Sequence, residues 1–137
     1  MLEPFHYAFP VLDLAATRDF YENQLGALPG RSTTEWADFD LYGHQLSAHK
    51  VAVMPEVVAH GEVDGQAVPI PHFGVVLEWG EWQALAQRLL ERRVAFLLTP
   101  QVRFQGQNGE QGTFFVLDPS GNALEFKSFK RSEEMFA

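Results

Sequence analysis

The 137-residue chain contains no cysteine. Disulfides, thiolate nucleophiles and cysteine-bound zinc or iron–sulfur clusters are thereby excluded. Any metal must be held by His, Asp, Glu or Gln. No apolar run reaches the length of about eighteen residues that a spanning helix needs, so no membrane partner is expected. Basic residues are scarce: 10 Lys and Arg stand against 18 Asp and Glu, a net charge of −8. A phosphate backbone is repelled by such a surface, so nucleic acid is not an expected partner. The opening Met1-Leu2-Glu3-Pro4 lacks the basic region of a signal peptide, and a cytoplasmic location is the expectation. Also missing are a Walker A loop, a dinucleotide fingerprint, HExxH and GxSxG, so phosphate cradling and serine hydrolysis have no local support. What is present is 46% hydrophobic residues with 20% charged ones, enough to bury the core of one domain.

The pattern that organises the chain is an internal echo. Phe5-His6-Tyr7-Ala8-Phe9-Pro10-Val11 and Pro71-His72-Phe73-Gly74-Val75-Val76-Leu77 both read His, aromatic, small, then apolar, with the histidines 66 residues apart. One supersecondary unit used twice is the natural reading. Each echo precedes a helix signal. Asp13 is a good N-cap, Leu14, Thr17, Tyr21 and Leu25 recur at helical spacing with Phe20 beside them, and Gly26 is a stop. In the second half Trp82, Leu85, Ala86, Leu89 and Leu90 form one stripe over residues 80–92, with Arg88, Glu91 and Arg92 opposite. Strand-like segments follow: Glu35 to Tyr42 and Gln45 to Val53 around Gly43-His44, then Ala95 to Phe104, Thr113 to Leu117 and Ala123 to Phe129. Asp118-Pro119-Ser120-Gly121-Asn122 is a strong turn sequence. The order βαβββ thus occurs twice within one domain over residues 1–137. Module one spans residues 4–53 and module two residues 71–130. Residues 54–70 read as a linker, 105–112 as a mobile polar flap, and 130–137 as a frayed end.

A paired βαβββ module with a His early in each first strand resembles the vicinal oxygen chelate superfamily, which includes glyoxalases, extradiol dioxygenases, fosfomycin-resistance enzymes and bleomycin-resistance proteins. The resemblance covers residues 4–130. Its most specific signature is Phe114 to Phe126, similar to the family's "DPxGN-x-hydrophobic-E" ending. Asp38 to His49, with Leu124-Glu125-Phe126-Lys127, is most similar to a group of small predicted dioxygenases. The resemblance implies an α+β fold in which two βαβββ modules form a U-shaped mixed sheet around a metal cavity. It implies that His6, His72 and Glu125 are the metal ligands, and that the protein is a homodimer whose site is sometimes built from two chains. Two imidazoles and a carboxylate suit a divalent first-row ion and leave coordination positions open. Fe(II) is the simplest choice, with Mn, Zn, Ni or Mg as alternatives.

The fourth position separates reactions. Aligning the halves through Gly43 and Gly121 sets Ser47 opposite Glu125. Ser47 is a poor ligand, and an open place there resembles extradiol dioxygenases acting on a small aromatic diol. A two-residue slip brings in Gln45 instead and favours a glyoxalase-like lyase or an epimerase. A metal-free drug-binding protein is the remaining rival, against which the ligand trio argues. His49 shares the strand face of Ser47 and is the candidate catalytic proton carrier; a satisfied core histidine is the bland alternative. The bland partner for Glu125 is Lys127 on its own strand face. Arg103 before the flap is a candidate carboxylate or phenolate binder or else a surface residue. Tyr7 and Tyr42 read as packing residues, and His44 and His60 as idle and exposed.

Overall fold

The computed structural model describes residues 2–137. The chain divides into two compact units, one running to Glu56 and including Asp118–Asn122, the other comprising Val57–Leu117 and Ala123–Ala137.

The first unit contains β1 (His6–Val11), α1 (Leu14–Arg18) continued by a π-helical turn (Asp19–Gln24), β2 (Leu28–Ser32), β3 (Trp36–Leu41) and β4 (His44–Lys50). The sheet order is β1-β4-β3-β2, with β1 parallel to β4 and the other pairs antiparallel. Asp13 caps α1 as expected, its carboxylate accepting from the Ala16 amide at 2.9 Å. The regular helix that the periodicity predicts through Leu25 widens instead at Asp19. Amides of Leu25 and Ala27 reach back to the carbonyls of Phe20 and Tyr21 at 3.0 and 2.8 Å. Neighbouring residues of an α-helix diverge by about 100°, and the wider turn lets Phe20 and Tyr21 both face inward. Tyr21 then packs on Phe9 and Phe39, with ring centroids 5.5 and 5.2 Å away.

The Asp118–Asn122 turn belongs to this unit and explains its own sequence. The buried Asp118 carboxylate accepts from the amides of Ser120 and Asn122, from Asn122 Nδ2 and from the Tyr21 hydroxyl, each at 2.9 Å. Ser120 Oγ accepts the Leu12 amide and Asn122 Nδ2 donates to the Pro10 carbonyl, both at 2.9 Å. Gly121 turns the chain at φ +89°, a conformation open to glycine.

Burial, reinforced by the Asp118 carboxylate, pushes the Tyr21 phenol well above its usual range. The folded state therefore holds this proton more tightly than the unfolded chain. Its contribution to stability is complete below the unfolded phenol's value, near pH 10, and is lost as pH rises from there toward the folded value. Alkaline melts should show wild type losing stability by about 1.4 kcal/mol per pH unit above pH ~10 from this group. Tyr21→Phe should flatten that slope; an unchanged slope assigns the loss to other groups.

The second unit contains β5 (Ala59–Val63), β6 (Gln66–Ile70), β7 (Phe73–Val76), α2 (Trp79–Glu91), β8 (Phe96–Arg103), β9 (Gln111–Leu117) and β10 (Ala123–Phe129), with a 3-10 turn at Ser132–Glu134. Its sheet order, β7-β10-β9-β8, repeats that of the first unit, again with one parallel pair, β7 with β10. Trp82, Leu85, Ala86 and Leu89 of α2 are buried, whereas Leu90 lies outside the stripe and is exposed. Trp82 Nε1 donates to the Phe126 carbonyl at 2.9 Å, and its ring covers Gly112, where a Cβ would lie 2.6 Å from the indole.

Three segments differ from expectation. Most of the stretch read as a linker is the β5–β6 hairpin, turned by Asp64 and Gly65 at φ +48° and +83°. Asp64-Gly65 is the kind of pair that favours such a turn. The polar flap is pinned: buried Glu110 accepts the Gly106 amide at 3.1 Å and pairs with Lys130 at 3.5 Å, while residues 111–112 already belong to β9. The C-terminal segment is tied to it. Glu134 accepts the Gly109 amide at 2.6 Å and pairs with Arg131, whose guanidinium also donates to the Gln107 carbonyl at 3.0 Å. Those two donors hold the Glu134 carboxyl below its ordinary range, the Arg131 bond contributing most. No helix among the described residues is long and apolar enough to cross a membrane.

Candidate metal centre

Alternation along β10 sends Leu124, Phe126 and Ser128 into the core against α2 and leaves Glu125 and Lys127 on the other face. Glu125 pairs with Gly74 of β7, and a Cβ at that position would sit 1.5 Å from the Glu125 carbonyl oxygen. Glycine at 74 is therefore required for the two strands to close. The close approach carries His72, just before β7, to the Glu125 carboxylate: Nε2 and Oε1 are 3.2 Å apart.

Both groups are oriented from behind. His72 Nδ1 donates to the Pro69 carbonyl at 2.7 Å, which turns Nε2 toward the Glu125 carboxylate. The ring edge also meets Phe115, centroids 4.9 Å apart. Thr113 donates its hydroxyl to Glu125 Oε2 at 2.6 Å, so that Oε1 alone faces the imidazole. A nitrogen and a carboxylate oxygen this close share a cation, either the proton of an N–H···O hydrogen bond or a metal ion. Nitrogen and oxygen ligands about 2.1 Å from one ion, at angles between tetrahedral and octahedral, lie roughly 3.0–3.5 Å apart. The observed separation fits that range. A ligating histidine ordinarily donates its second nitrogen to a carbonyl or carboxylate, as His72 does. Lys127, the bland partner, is farther away, with Nζ 4.0 Å from Oε2.

His6 opens β1 in the first unit, and its setting parallels that of His72. Its Nδ1 lies 2.8 Å from the Gln45 carboxamide oxygen, an arrangement that assigns the proton to Nδ1 and frees Nε2. Strand register gives the equivalence of the halves directly. Ser47 pairs with Ala8, two residues past His6, just as Glu125 pairs with Gly74, two residues past His72. Ser47 is thus the counterpart of Glu125, and its hydroxyl donates to the Asp38 carboxylate. Gln45 is one step removed and is engaged with His6. Among the described residues no three His, Asp or Glu side chains gather in a metal-holding group. The pair brought together is His72 and Glu125.

The remaining candidates fall as follows. His49 pairs across β4 with Pro10 and Trp36 and shares the face of Ser47, but it is exposed. Its exposure removes the core-histidine alternative. His44 is not idle, since its Nδ1 accepts the Phe5 amide at 2.9 Å. His60 is exposed on β5. Arg103 is engaged with Asp64 at 3.2 Å and stacks over Phe104 at 5.0 Å. Tyr7 stacks on Phe9 at 5.9 Å, whereas Tyr42 is exposed in the hairpin turn at φ +52°. Sequence reasoning missed Thr113, Asp38 and the Pro69 carbonyl. The two side chains could have been found by pairing the strands and asking which neighbour faces each carboxylate or hydroxyl.

Two sheets of the same order, one bearing an imidazole–carboxylate pair of this geometry, define a paired-module α+β protein. The chain belongs to the glyoxalase/bleomycin resistance protein/dioxygenase superfamily, whose family model matches residues 4–126. It is similar over 98% of its length to a glyoxalase/bleomycin resistance protein/dioxygenase from Alicyclobacillus acidocaldarius, at 30% identity and TM-score 0.81, covering 96% of that chain. It shares its fold with the fosfomycin resistance protein FosX of Listeria monocytogenes, at 19% identity and TM-score 0.69 with 98% of each chain covered. A putative glyoxalase family protein from Bacillus anthracis also shares the fold, at 14% identity and TM-score 0.65, covering 95% of this chain and 97% of that one. No curated protein matches.

Proposed function

We propose that the protein is a metal-dependent dioxygenase of the extradiol ring-cleaving type, acting on a small aromatic diol, with His6, His72 and Glu125 as the metal ligands. The observation that carries the reading is the 3.2 Å His72–Glu125 pair, with the Nδ1 position of both histidines already engaged. When bound, a divalent ion, most simply Fe(II), supplies Lewis acidity toward the diol and a site for O₂. The chain's own residues do the rest. Pro69 and Gln45 fix the histidine tautomers, and Thr113 aims the carboxylate. Asp38 engages the Ser47 hydroxyl at the position the repeat aligns with Glu125, so Ser47 would not act as a fourth ligand and would leave that place to a bidentate diol. His49, exposed on the strand face of Ser47, is our candidate for carrying a proton to or from the substrate.

His6 completes the site from the second protomer of a homodimer. In this reading β1 and β7, each the outermost strand of its sheet, meet their counterparts at the interface. Exposed Phe5 and Val76 supply apolar surface for that contact.

The test is metal content of protein purified without added metal, followed by oxygen uptake with a panel of catechols. One divalent ion per chain with oxygen consumption is the expected result. Stoichiometric metal with turnover of a hemithioacetal and no oxygen uptake would overturn ring cleavage in favour of a glyoxalase-like lyase.

A further inference from the structure

The pairing of β2 with β3 is irregular near its end. Pro29 stands opposite Phe39 and Ser32 opposite Ala37, so two residues of β2, Gly30 and Arg31, share one partner on β3, Asp38. A bulge of this kind re-aims a side chain. The strands approach closely there: a Cβ at position 30 would lie 3.0 Å from the Asp38 Cβ and carbonyl oxygen. The bulge borders a pocket of about 380 Å³ in the first unit, whose polar lining is Arg31, Asp38, Asp40, His44 and Gln45. That volume lies within the range of small-molecule sites. Alternation puts Asp38 and Asp40 on one face of β3, opposite Ser47 and Gln45 of β4.

The charged groups of this pocket do not satisfy one another. Among the described residues the Arg31 guanidinium makes no hydrogen bond or ion pair, although two carboxylates line the same space. Asp38 accepts the Ser47 hydroxyl on one oxygen, and Asp40 accepts the Gly43 amide on one oxygen at 2.7 Å, so each keeps a second oxygen free. His44 Nδ1 accepts the Phe5 amide, which puts the ring proton on Nε2. Gln45 turns its carboxamide oxygen to His6, which leaves its NH₂ group unpaired. Donors and acceptors thus line one pocket without meeting. A plain anion in that space faces two carboxylates, and a plain cation faces the guanidinium. A molecule carrying one charge of each sign satisfies both sets, and a guanidinium takes a carboxylate through two parallel hydrogen bonds.

We infer that this pocket is a binding site for a small zwitterion of the amino acid type, its carboxylate held by Arg31 and its ammonium by Asp38 and Asp40. The site uses no metal, and His6, His72 and Glu125 are not among its contacts. It therefore goes beyond the ring-cleavage reading and stands or falls apart from it.

The experiment titrates metal-free, ¹⁵N-labelled protein with L-valine and with its two halves, isovalerate, which lacks the ammonium, and isobutylamine, which lacks the carboxylate. Amide shifts give the affinities, and melting temperatures confirm that each variant is folded. Valine should move the amides of Arg31, Asp40 and Gln45 and should bind about tenfold more tightly than either half, the size of one charge-assisted hydrogen bond. Arg31→Met should bring valine down to the affinity of isobutylamine, and Arg31→Lys should restore part of the loss. Asp40→Asn, which keeps an oxygen for the Gly43 amide, should weaken valine while leaving isovalerate as tight or tighter. Three results would each overturn the inference: no shift of these amides with valine, isovalerate binding wild type as tightly as valine, or a valine affinity indifferent to Arg31→Met. Because no metal is present, none of these outcomes bears on oxygen uptake with catechols.

Discussion

Mixing two metal-deficient variants, His6→Ala and Glu125→Ala, should restore metal sites that neither possesses alone. Each homodimer has every site short of one ligand. In a heterodimer the two defects fall together in one site, and the other assembles intact from His6 of one protomer with His72 and Glu125 of its partner. Random exchange makes about half the dimers mixed, so about a quarter of all sites should regain metal. Elemental analysis after unfolding and refolding the mixture provides the readout, with oxygen uptake as a second one. A site built within a single chain predicts no recovery at any mixing ratio, and that result would end the shared-site proposal. The same variants separate ligation from folding. Glu125 is a largely buried carboxylate whose companions are the His72 imidazole, the Thr113 hydroxyl and a more distant ammonium. Its loss should leave the metal-free melting temperature unchanged or raised, while abolishing the stabilisation that metal confers on wild type.

The repeat was legible because both halves use the same residues for the same physical task. A histidine ahead of an apolar strand and a glycine turn before the last strand align Ser47 with Glu125, and the strand pairs Ala8–Ser47 and Gly74–Glu125 have the same relation in the two halves. The helix stripe on α2 was legible because period 3.6 is written directly in side-chain polarity. What escaped depends on contacts between distant segments. Nothing local says that buried Glu110 pins a glycine-rich loop or that Glu134 anchors it from the C-terminus; polarity alone reads both as mobile. The π-helical turn follows from seating Phe20 and Tyr21 in one core, a tertiary demand that overrides periodicity. His49 was placed on the right face by alternation, but alternation cannot say whether a face is covered. Thr113 escaped for a related reason: its diagonal reach to Glu125 depends on a strand register that one sequence does not display. The Asp-Gly turn of the β5–β6 hairpin is readable in the sequence, but Pro55, Gly61 and Pro69 around it suggest irregular chain.

Asp118→Ala should destabilise the protein severely, by roughly 3–5 kcal/mol, although the residue makes no hydrogen bond to His6, His72 or Glu125, the three proposed ligands. The signature turn looks functional because it precedes Glu125 by a few residues, but its contacts are structural. The Asp118 carboxylate receives four donors, and the Tyr21 hydroxyl among them is wholly buried. Hydrogen bonds to a charged acceptor are worth about 1.5–3 kcal/mol each, and a buried donor left without a partner costs about 1–3 kcal/mol. The bonds share one acceptor and are not additive, so the sum is held below their total. Against a domain stability of about 5–15 kcal/mol this is a large fraction. In urea melts the midpoint should fall with the slope preserved. Removing Tyr21's hydroxyl as well should recover part of the loss, since Tyr21→Phe/Asp118→Ala leaves no phenol stranded in the core. The double variant should therefore be less destabilised than the two single changes summed. A loss below about 1 kcal/mol for Asp118→Ala, or strict additivity with Tyr21→Phe, would show that the buried network contributes little. The turn's sequence would then have to be explained by what it does for the neighbouring Glu125 strand.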